Sequence, residues 1–163
     1  MSKYPWVVIP LSFLLAFLLS LLPMPTWFEN ARPEWVALVL IFWVSTMPHR
    51  VNIGIAWMLG LILDGFNDTL LGEHALALAV VAYVASKMHR RMRMLSQWQQ
   101  MLSILLLILL YHMILFWVQG MIGEPEPLNW FWLSAISSAV IWPWIFTILR
   151  DFRSGFRTAN NFE

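Results

Sequence analysis

The sequence predicts an all-α integral membrane protein, a six-helix transmembrane bundle with both termini in the cytoplasm. Hydrophobic residues make up 60% of the 163 positions and charged residues only 12%, whereas about 25% of a soluble domain is charged. Apolar runs of near-spanning length recur along the chain between short polar connections. The chain contains eleven tryptophans. Tryptophan is enriched at the membrane–water interface because its ring is amphipathic, so this number indicates a membrane protein. These observations exclude an ordinary soluble domain.

Six apolar runs define the predicted spans, because a spanning helix needs roughly 17–25 mostly apolar residues. They are residues 6–22, 34–47, 53–68, 70–88, 101–122 and 130–149. The first run is longer than the core of a secretory signal peptide and lacks a small-residue cleavage site, which predicts an uncleaved anchor. The connections are too short for a soluble domain, so residues 1–163 are predicted to form a single transmembrane domain.

The distribution of charge predicts the orientation. Segments on the predicted cytoplasmic side carry nine basic residues against Asp151 and Glu163, a net charge of +7. The other segments and the outer half of the spans carry Arg32 against seven acidic residues, a net charge of −6. This asymmetry is typical of the positive-inside rule. The nine basic residues are Lys3, Arg50, Lys87, Arg90, Arg91, Arg93, Arg150, Arg153 and Arg157, and the seven acidic ones are Glu29, Glu34, Asp64, Asp68, Glu73, Glu124 and Glu126.

A dense basic cluster follows the fourth span. Lys87, Arg90, Arg91 and Arg93 are predicted to lie at the anionic inner leaflet, where each basic residue contributes about 1 kcal/mol of attraction. Lipid anchoring is the favoured interpretation of this cluster, and binding of a cytoplasmic protein is the alternative.

Asp64 is the most informative polar residue. Counted from Ile53, it lies about 18 Å into a hydrocarbon core about 30 Å thick. If the third helix crosses at full length, Asp64 and Asp68 lie in the outer half of the bilayer and should face the protein interior. Alternatively, the helix ends near Gly65 and Asp64 begins a wet external loop, because Gly65, Asn67 and Asp68 are turn formers. The sequence leaves both interpretations open.

His112 is predicted at a similar depth in the fifth helix. Our hypothesis is that His112 and Asp64 lie close together and share a hydrogen bond or an ion pair. The alternative is a neutral imidazole that is bonded to a neighbouring backbone or hydroxyl group.

Small residues recur at helical spacing in two of the predicted spans. Such stripes let helix backbones approach closely in lipid. They predict packing faces, either within the fold or against a partner helix. The residues are Ala56, Gly60, Ser134, Ser138, Ala135 and Ala139.

Catalytic and metal-binding motifs are missing from the sequence. The absence of cysteine excludes disulfides, thiolate catalysis, Cys-based zinc sites and iron–sulfur clusters. Zincin, nucleophile-elbow, P-loop and dinucleotide-binding patterns are also absent. The near-zero total charge argues against a nucleic-acid partner. We therefore expect no enzymatic activity, no cofactor and no metal site.

The order and spacing of several short motifs resemble the MreD family of rod shape-determining proteins, in the form found in proteobacteria. The motifs are Arg32-Pro33-Glu34-Trp35, Pro48-His49-Arg50-Val51-Asn52-Ile53-Gly54, Gly60, Leu63-Asp64, Leu71-Gly72, Trp98-Gln99-Gln100 and Trp142-Pro143-Trp144-Ile145-Phe146. The resemblance extends from end to end in length, span count and anchor positions.

The resemblance implies a non-enzymatic component of the cell-elongation machinery in the bacterial inner membrane. It implies a direct partner, MreC, which is a single-span membrane protein with a periplasmic domain. It also implies a wider complex with MreB, RodA and the penicillin-binding proteins that make lateral peptidoglycan. It also implies a fold similar to the substrate-binding subunits of energy-coupling-factor transporters. The alternative function is therefore a small-molecule-binding transporter subunit with a pocket near Asp64.

Overall fold

The computed structural model describes residues 5–124, 127 and 130–158, and this part of the chain is helical without any strand. The prediction of an all-α protein is confirmed to that extent. The helices are α1 (Pro5–Leu21), α2 (Thr26–Glu29), α3 (Trp35–Thr46), α4 (Ile53–Asn67), α5 (Glu73–Met94), α6 (Gln97–Ile122) and α7 (Phe131–Thr158). Among the charges used for the orientation, Lys3, Glu126, Glu163 and the side chain of Arg157 lie outside the described residues.

Two helices of the described residues are long and apolar enough to cross a membrane. They are Gln97–Ile122 and Phe131–Gly155. The apolar helices at Trp6–Leu21, Trp35–Thr46 and Ile53–Asn67 are shorter, and α5 carries basic residues in its last turn. Passage of all six long helices through the bilayer therefore stays a prediction.

Helix α3 forms the centre of the bundle. Its residues from Val36 to Ser45 are all buried, as expected for a helix that is apolar on every side. It packs against α5 and α1 and, over a smaller area, against α7. The Trp43 indole donates a hydrogen bond of 2.8 Å to the Ser12 hydroxyl, which in turn donates to the Ile9 carbonyl at 2.7 Å. Ser12 thereby fastens α1 to the central helix.

Helices α4 and α5 form the most extensively packed pair. Ala56 is fully buried, and Gly60 lies directly against the backbone of α5. A Cβ atom at Gly60 would overlap the backbone atoms of His74 and Ala75. On α7, Ser134, Ala135, Ser138 and Ala139 are buried as well. The small-residue stripes therefore pack within the fold, which was one of the two predicted possibilities.

The helix ends form an acidic end and a basic end of the bundle. At the acidic end α1, α4 and α6 finish while α3, α5 and α7 begin, and the described acidic residues there are Glu29, Glu34, Asp64, Asp68, Glu73 and Glu124. At the basic end α1, α4 and α6 begin while α3, α5 and α7 finish. The described basic residues there are Arg50, Lys87, Arg90, Arg91, Arg93, Arg150 and Arg153. The charge separation predicted from the sequence is therefore a separation between the two ends of one bundle.

Candidate functional site

Asp64 lies at the centre of a buried polar cluster at the acidic end. Its side chain is fully buried. Its Oδ1 atom accepts hydrogen bonds from the His74 backbone N–H at 2.9 Å and from the Thr69 hydroxyl at 3.1 Å, and it lies 2.7 Å from the His74 Nδ1 atom. Its Oδ2 atom accepts from the Gly72 N–H at 2.8 Å. The carboxylate is thus surrounded by donors from residues 69–74.

These contacts make Asp64 an N-terminal cap for α5 that is supplied by α4. The first turn of a helix leaves backbone N–H groups without partners and carries partial positive charge. Gly72 holds the N-cap position with φ at +107° and has no side chain to fill this role. The Asp64 carboxylate satisfies two of these N–H groups and places a negative charge beside them. It therefore fixes the end of α4 to the beginning of α5.

Of the two interpretations of Asp64, the structure contradicts the wet loop. Helix α4 continues through Gly65 to Asn67, so Asp64 lies inside the helix and within the protein. Asp68 is exposed and closes α4 in the left-handed conformation, with φ at 52°. A side chain as short as that of aspartate tolerates this conformation because it hydrogen-bonds locally.

The hydrogen bonds and close contacts described for Asp64 and for His112 involve different partners. The His112 Nδ1 atom lies 2.9 Å from the Ile108 carbonyl oxygen, and its Nε2 atom lies 3.4 Å from Glu34 Oε1 at the start of α3. Two residues at equal depth in the bundle need not be neighbours. Asp64 faces α5, whereas His112 faces α3. The buried Tyr111 ring lies beside both histidines, 6.2 Å from the ring of His74 and 5.3 Å from that of His112.

The segment before α3 is tied to α7 and α1. The Glu34 N–H donates to the Ser138 hydroxyl at 3.1 Å, and the Ser134 hydroxyl donates to the Arg32 carbonyl at 2.8 Å. The Arg32 guanidinium donates to the Leu19 carbonyl at 3.4 Å. Arg32 and the adjoining buried Pro33 therefore belong to a segment that connects α1, α3 and α7 at the acidic end.

Sequence reasoning did not single out Glu34, Glu73, His74, Tyr111 or Gln119 as parts of this cluster. The Gln119 amide donates to Glu73 Oε1 at 2.7 Å and joins α6 to the start of α5. The available signal was the turn at residues 68–72, since it brings the first turn of α5 back beside the last turn of α4.

A polar cavity of about 130 Å³ lies beside the cluster. Drug-sized or cofactor-sized ligands occupy pockets of roughly 300–1,000 Å³, so this cavity has room for a few water molecules. Asp64 is not part of its wall, because the Asp64 carboxylate is already enclosed by its donors. Its polar lining residues are Ser20, Arg32, Glu34, Asn67, His74 and Tyr111.

An apolar groove of about 180 Å³ lies between α1, α3 and α7. We name it the α1–α7 groove. The small residues Ser12 and Ala16, four positions apart on α1, line it together with larger side chains. The larger side chains are Val8, Leu11, Leu15, Leu19, Trp35, Val39, Ile145, Ile148, Leu149 and Phe152.

The connection between α3 and α4 contains most of the remaining motif positions. Asn52 caps α4 by accepting a hydrogen bond from the Ile55 N–H at 3.2 Å. Its Oδ1 atom leaves little room at Gly54, where a Cβ would lie 3.3 Å away. The guanidinium of Arg50 lies 5.3 Å from the centre of the Trp6 ring. Pro48 and His49 complete the turn.

The predicted inner-leaflet cluster consists of exposed side chains on the last turns of α5. Lys87 lies 5.6 Å from the centre of the Tyr83 ring, and Arg90 and Arg91 point away from the core. Arg93 donates a hydrogen bond of 2.6 Å to the Thr46 carbonyl at the end of α3.

Trp142 is a core residue. It is only 2% exposed, and its indole donates to Gln100 at 3.5 Å. Pro143, the next residue of the motif, lies inside α7. Among the described residues, no group of three or more His, Asp or Glu side chains is placed to hold a metal ion.

Comparison with known proteins gives two consistent matches. The family model of the rod shape-determining protein MreD matches residues 1–152. The rod shape-determining protein MreD of Haemophilus influenzae is 34% identical over 151 residues, which cover 91% of each chain. No solved structure matches the chain, so the expected similarity to transporter subunits stays a prediction.

Proposed function

Because this chain belongs to the MreD family of rod shape-determining proteins, we propose that it is a non-enzymatic scaffold of the bacterial inner membrane. In this role it binds MreC and, through MreC, joins MreB, RodA and the penicillin-binding proteins of lateral peptidoglycan synthesis. Its six long helices cross the membrane with both termini in the cytoplasm. Family membership over nearly the whole chain is the observation that carries this proposal.

The buried polar groups support a scaffold over a transporter subunit. Each hydrogen-bonding atom of the Asp64 carboxylate is engaged within the protein, and the adjoining cavity of about 130 Å³ is smaller than a typical ligand pocket. A substrate-binding subunit would need a larger cavity lined by groups that are free to bind the substrate. The cluster instead connects the helix ends to one another.

The α1–α7 groove is the surface that best suits the anchor helix of MreC. It extends from Val8 to Leu19 on α1, which corresponds to about 17 Å of helix. Its walls are almost entirely apolar, which suits the apolar surface of a membrane-spanning helix. An apolar groove of this length fits a helix better than it fits a compact ligand.

Filling the groove is expected to prevent MreC binding. The side chains of Leu15 and Ile148 are about half exposed at its rim, so Leu15→Trp and Ile148→Trp add bulk without disturbing the core. Overpacking a well-fitted contact costs about 1–3 kcal/mol, here taken from the free energy of MreC binding. The amount of MreC that co-purifies from membranes should therefore fall about tenfold. Cells that depend on the double variant should become round.

Leu102→Trp and Leu106→Trp provide the matched control. Both leucines are exposed on α6 to a similar extent and lie outside the groove. The control variant should bind MreC and support rod shape like the wild type. Equal binding by both double variants would overturn the assignment of MreC to the groove. A small molecule that stays bound to purified protein lacking MreC would favour the transporter alternative.

A further inference from the structure

A second cavity of about 190 Å³ lies at the basic end, between α3, α5, α6 and α7. Three arginines line it, Arg93 from α5 and Arg150 and Arg153 from α7. Its apolar lining includes the aromatic residues Phe42 and Trp142. No acidic residue is part of the lining described. The cavity therefore combines concentrated positive charge with apolar walls.

Arg93 and Arg150 retain capacity to bind an anion. A guanidinium has five N–H donors, and the bond from Arg93 to the Thr46 carbonyl uses one of them while fixing the side chain at the cavity. The Arg150 Nε atom lies 3.8 Å from Asp151 Oδ1, and both side chains are more than 60% exposed. Water screens such a pair strongly, so it neutralises little of the charge at the cavity.

The aromatic wall is rigid. The Phe42 and Phe146 rings are edge to face with centroids 5.7 Å apart, and the Trp142 ring lies 6.0 Å from Phe146. The Gln100 amide anchors this wall by donating to the Met92 carbonyl at 3.0 Å, while its oxygen accepts from the Trp142 indole. An occupant therefore meets a preformed apolar surface beside the guanidinium groups.

We propose that this cavity binds the phosphate group of an anionic phospholipid in the inner leaflet. Guanidinium groups bind phosphate oxygens through charge-assisted, often bidentate hydrogen bonds. Basic pockets between membrane helices on the cytoplasmic side are suited to lipid headgroups. A soluble phosphate shares the same chemistry, but the apolar wall favours an occupant that also carries an acyl chain.

The test uses the full-length protein in detergent and native mass spectrometry with phosphatidylglycerol. In the cavity variant, Arg150→Gln is combined with Arg153→Gln, and the bond of Arg93 to α3 is left intact. Each basic residue near a lipid phosphate contributes about fivefold to affinity, so the double variant should bind phosphatidylglycerol about 25-fold more weakly. Zwitterionic phosphatidylcholine should bind weakly to both proteins.

The surface variant Arg90→Gln with Arg91→Gln is the matched control. It removes the same charge from the same end of the bundle, at exposed residues that do not line the cavity. In detergent no anionic leaflet surrounds Arg90 and Arg91, and solvent screens their charges from a lipid in the cavity. The affinity of this variant for phosphatidylglycerol should therefore fall less than about threefold. Equal losses in the two variants, or no loss in either, would overturn the proposal.

Competition experiments distinguish the source of the phosphate. Millimolar inorganic phosphate should leave phosphatidylglycerol bound to the wild-type protein. Displacement by inorganic phosphate at concentrations similar to those of the lipid would contradict the lipid as occupant and assign the cavity to a soluble anion. Gel filtration of each variant verifies that a loss of binding does not reflect unfolding.

Discussion

Gly60→Ala is expected to destabilise the protein by about 3 kcal/mol, near the upper part of the range for overpacked cores. The added Cβ would overlap backbone atoms of His74 and Ala75. Backbone atoms cannot move aside by changing a rotamer, so α4 and α5 must separate along their whole contact. The measurement is the free energy of unfolding in detergent, obtained from the loss of helical signal with increasing denaturant.

Gly65→Ala is the control for this prediction, because Gly65 lies on the same helix with open space around it. Alanine is favoured over glycine in a helix by up to about 1 kcal/mol, so this variant should be as stable as the wild type or slightly more so. If both substitutions had the same effect, the close contact of α4 with α5 at Gly60 would be contradicted.

Asp64→Asn is expected to lower the free energy of unfolding by about 3 kcal/mol, because it leaves buried donors without acceptors. Asparagine has nearly the same shape but replaces one carboxylate oxygen by an NH₂ group. In one orientation this group faces the Gly72 N–H, and in the other it faces the N–H of His74. In either orientation the NH₂ group points at a backbone N–H, so that two donors face each other without an acceptor. The substitution also removes the negative charge at the start of α5. The thermal unfolding midpoint measured in detergent should fall accordingly.

Asp68→Asn removes the same charge four residues later. Asp68 is exposed, and asparagine also adopts the left-handed conformation readily, so its stability should change by less than about 0.5 kcal/mol. If Asp64→Asn were as stable as Asp68→Asn but no longer bound MreC, the role of Asp64 would be in binding and not in capping α5.

The apolar runs were sufficient to predict an all-helical chain, because each run is long enough to form a helix and polar turn formers separate the runs. Helices α5 and α7 nevertheless continue well beyond their predicted apolar ends, to Met94 and Thr158. Their basic last turns interrupt the hydropathy pattern without interrupting the backbone hydrogen bonds. The short helix α2 lies in a connection that hydropathy does not resolve.

The partners of Asp64 could not be derived from depth alone. Depth places Asp64 and His112 at one level, but the direction of each side chain depends on how the helices are arranged around α3. The turn after α4 decides the pairing, because left-handed residues at Asp68 and Gly72 bring His74 to the carboxylate. That conformation is a property of the folded hairpin.

The small-residue stripes show the same limitation. Spacing predicts that a face can be approached closely, whether the approaching helix belongs to this chain or to a partner. The structure places the predicted stripes of α4 and α7 inside the bundle. Ser12 and Ala16 of α1, which were not among the predicted packing residues, are buried as well and line the α1–α7 groove.

Photo-crosslinking in intact cells tests most directly whether the anchor helix of MreC lies in the α1–α7 groove. A photoreactive amino acid is introduced singly at Leu15 or Ile148 in the groove, and at Leu102 or Leu106 on α6 for comparison. We expect a crosslinked product with MreC from both groove positions and only background levels from the α6 positions. Crosslinks from the α6 positions, with none from the groove in cells that remain rod-shaped, would contradict the binding of MreC in the groove.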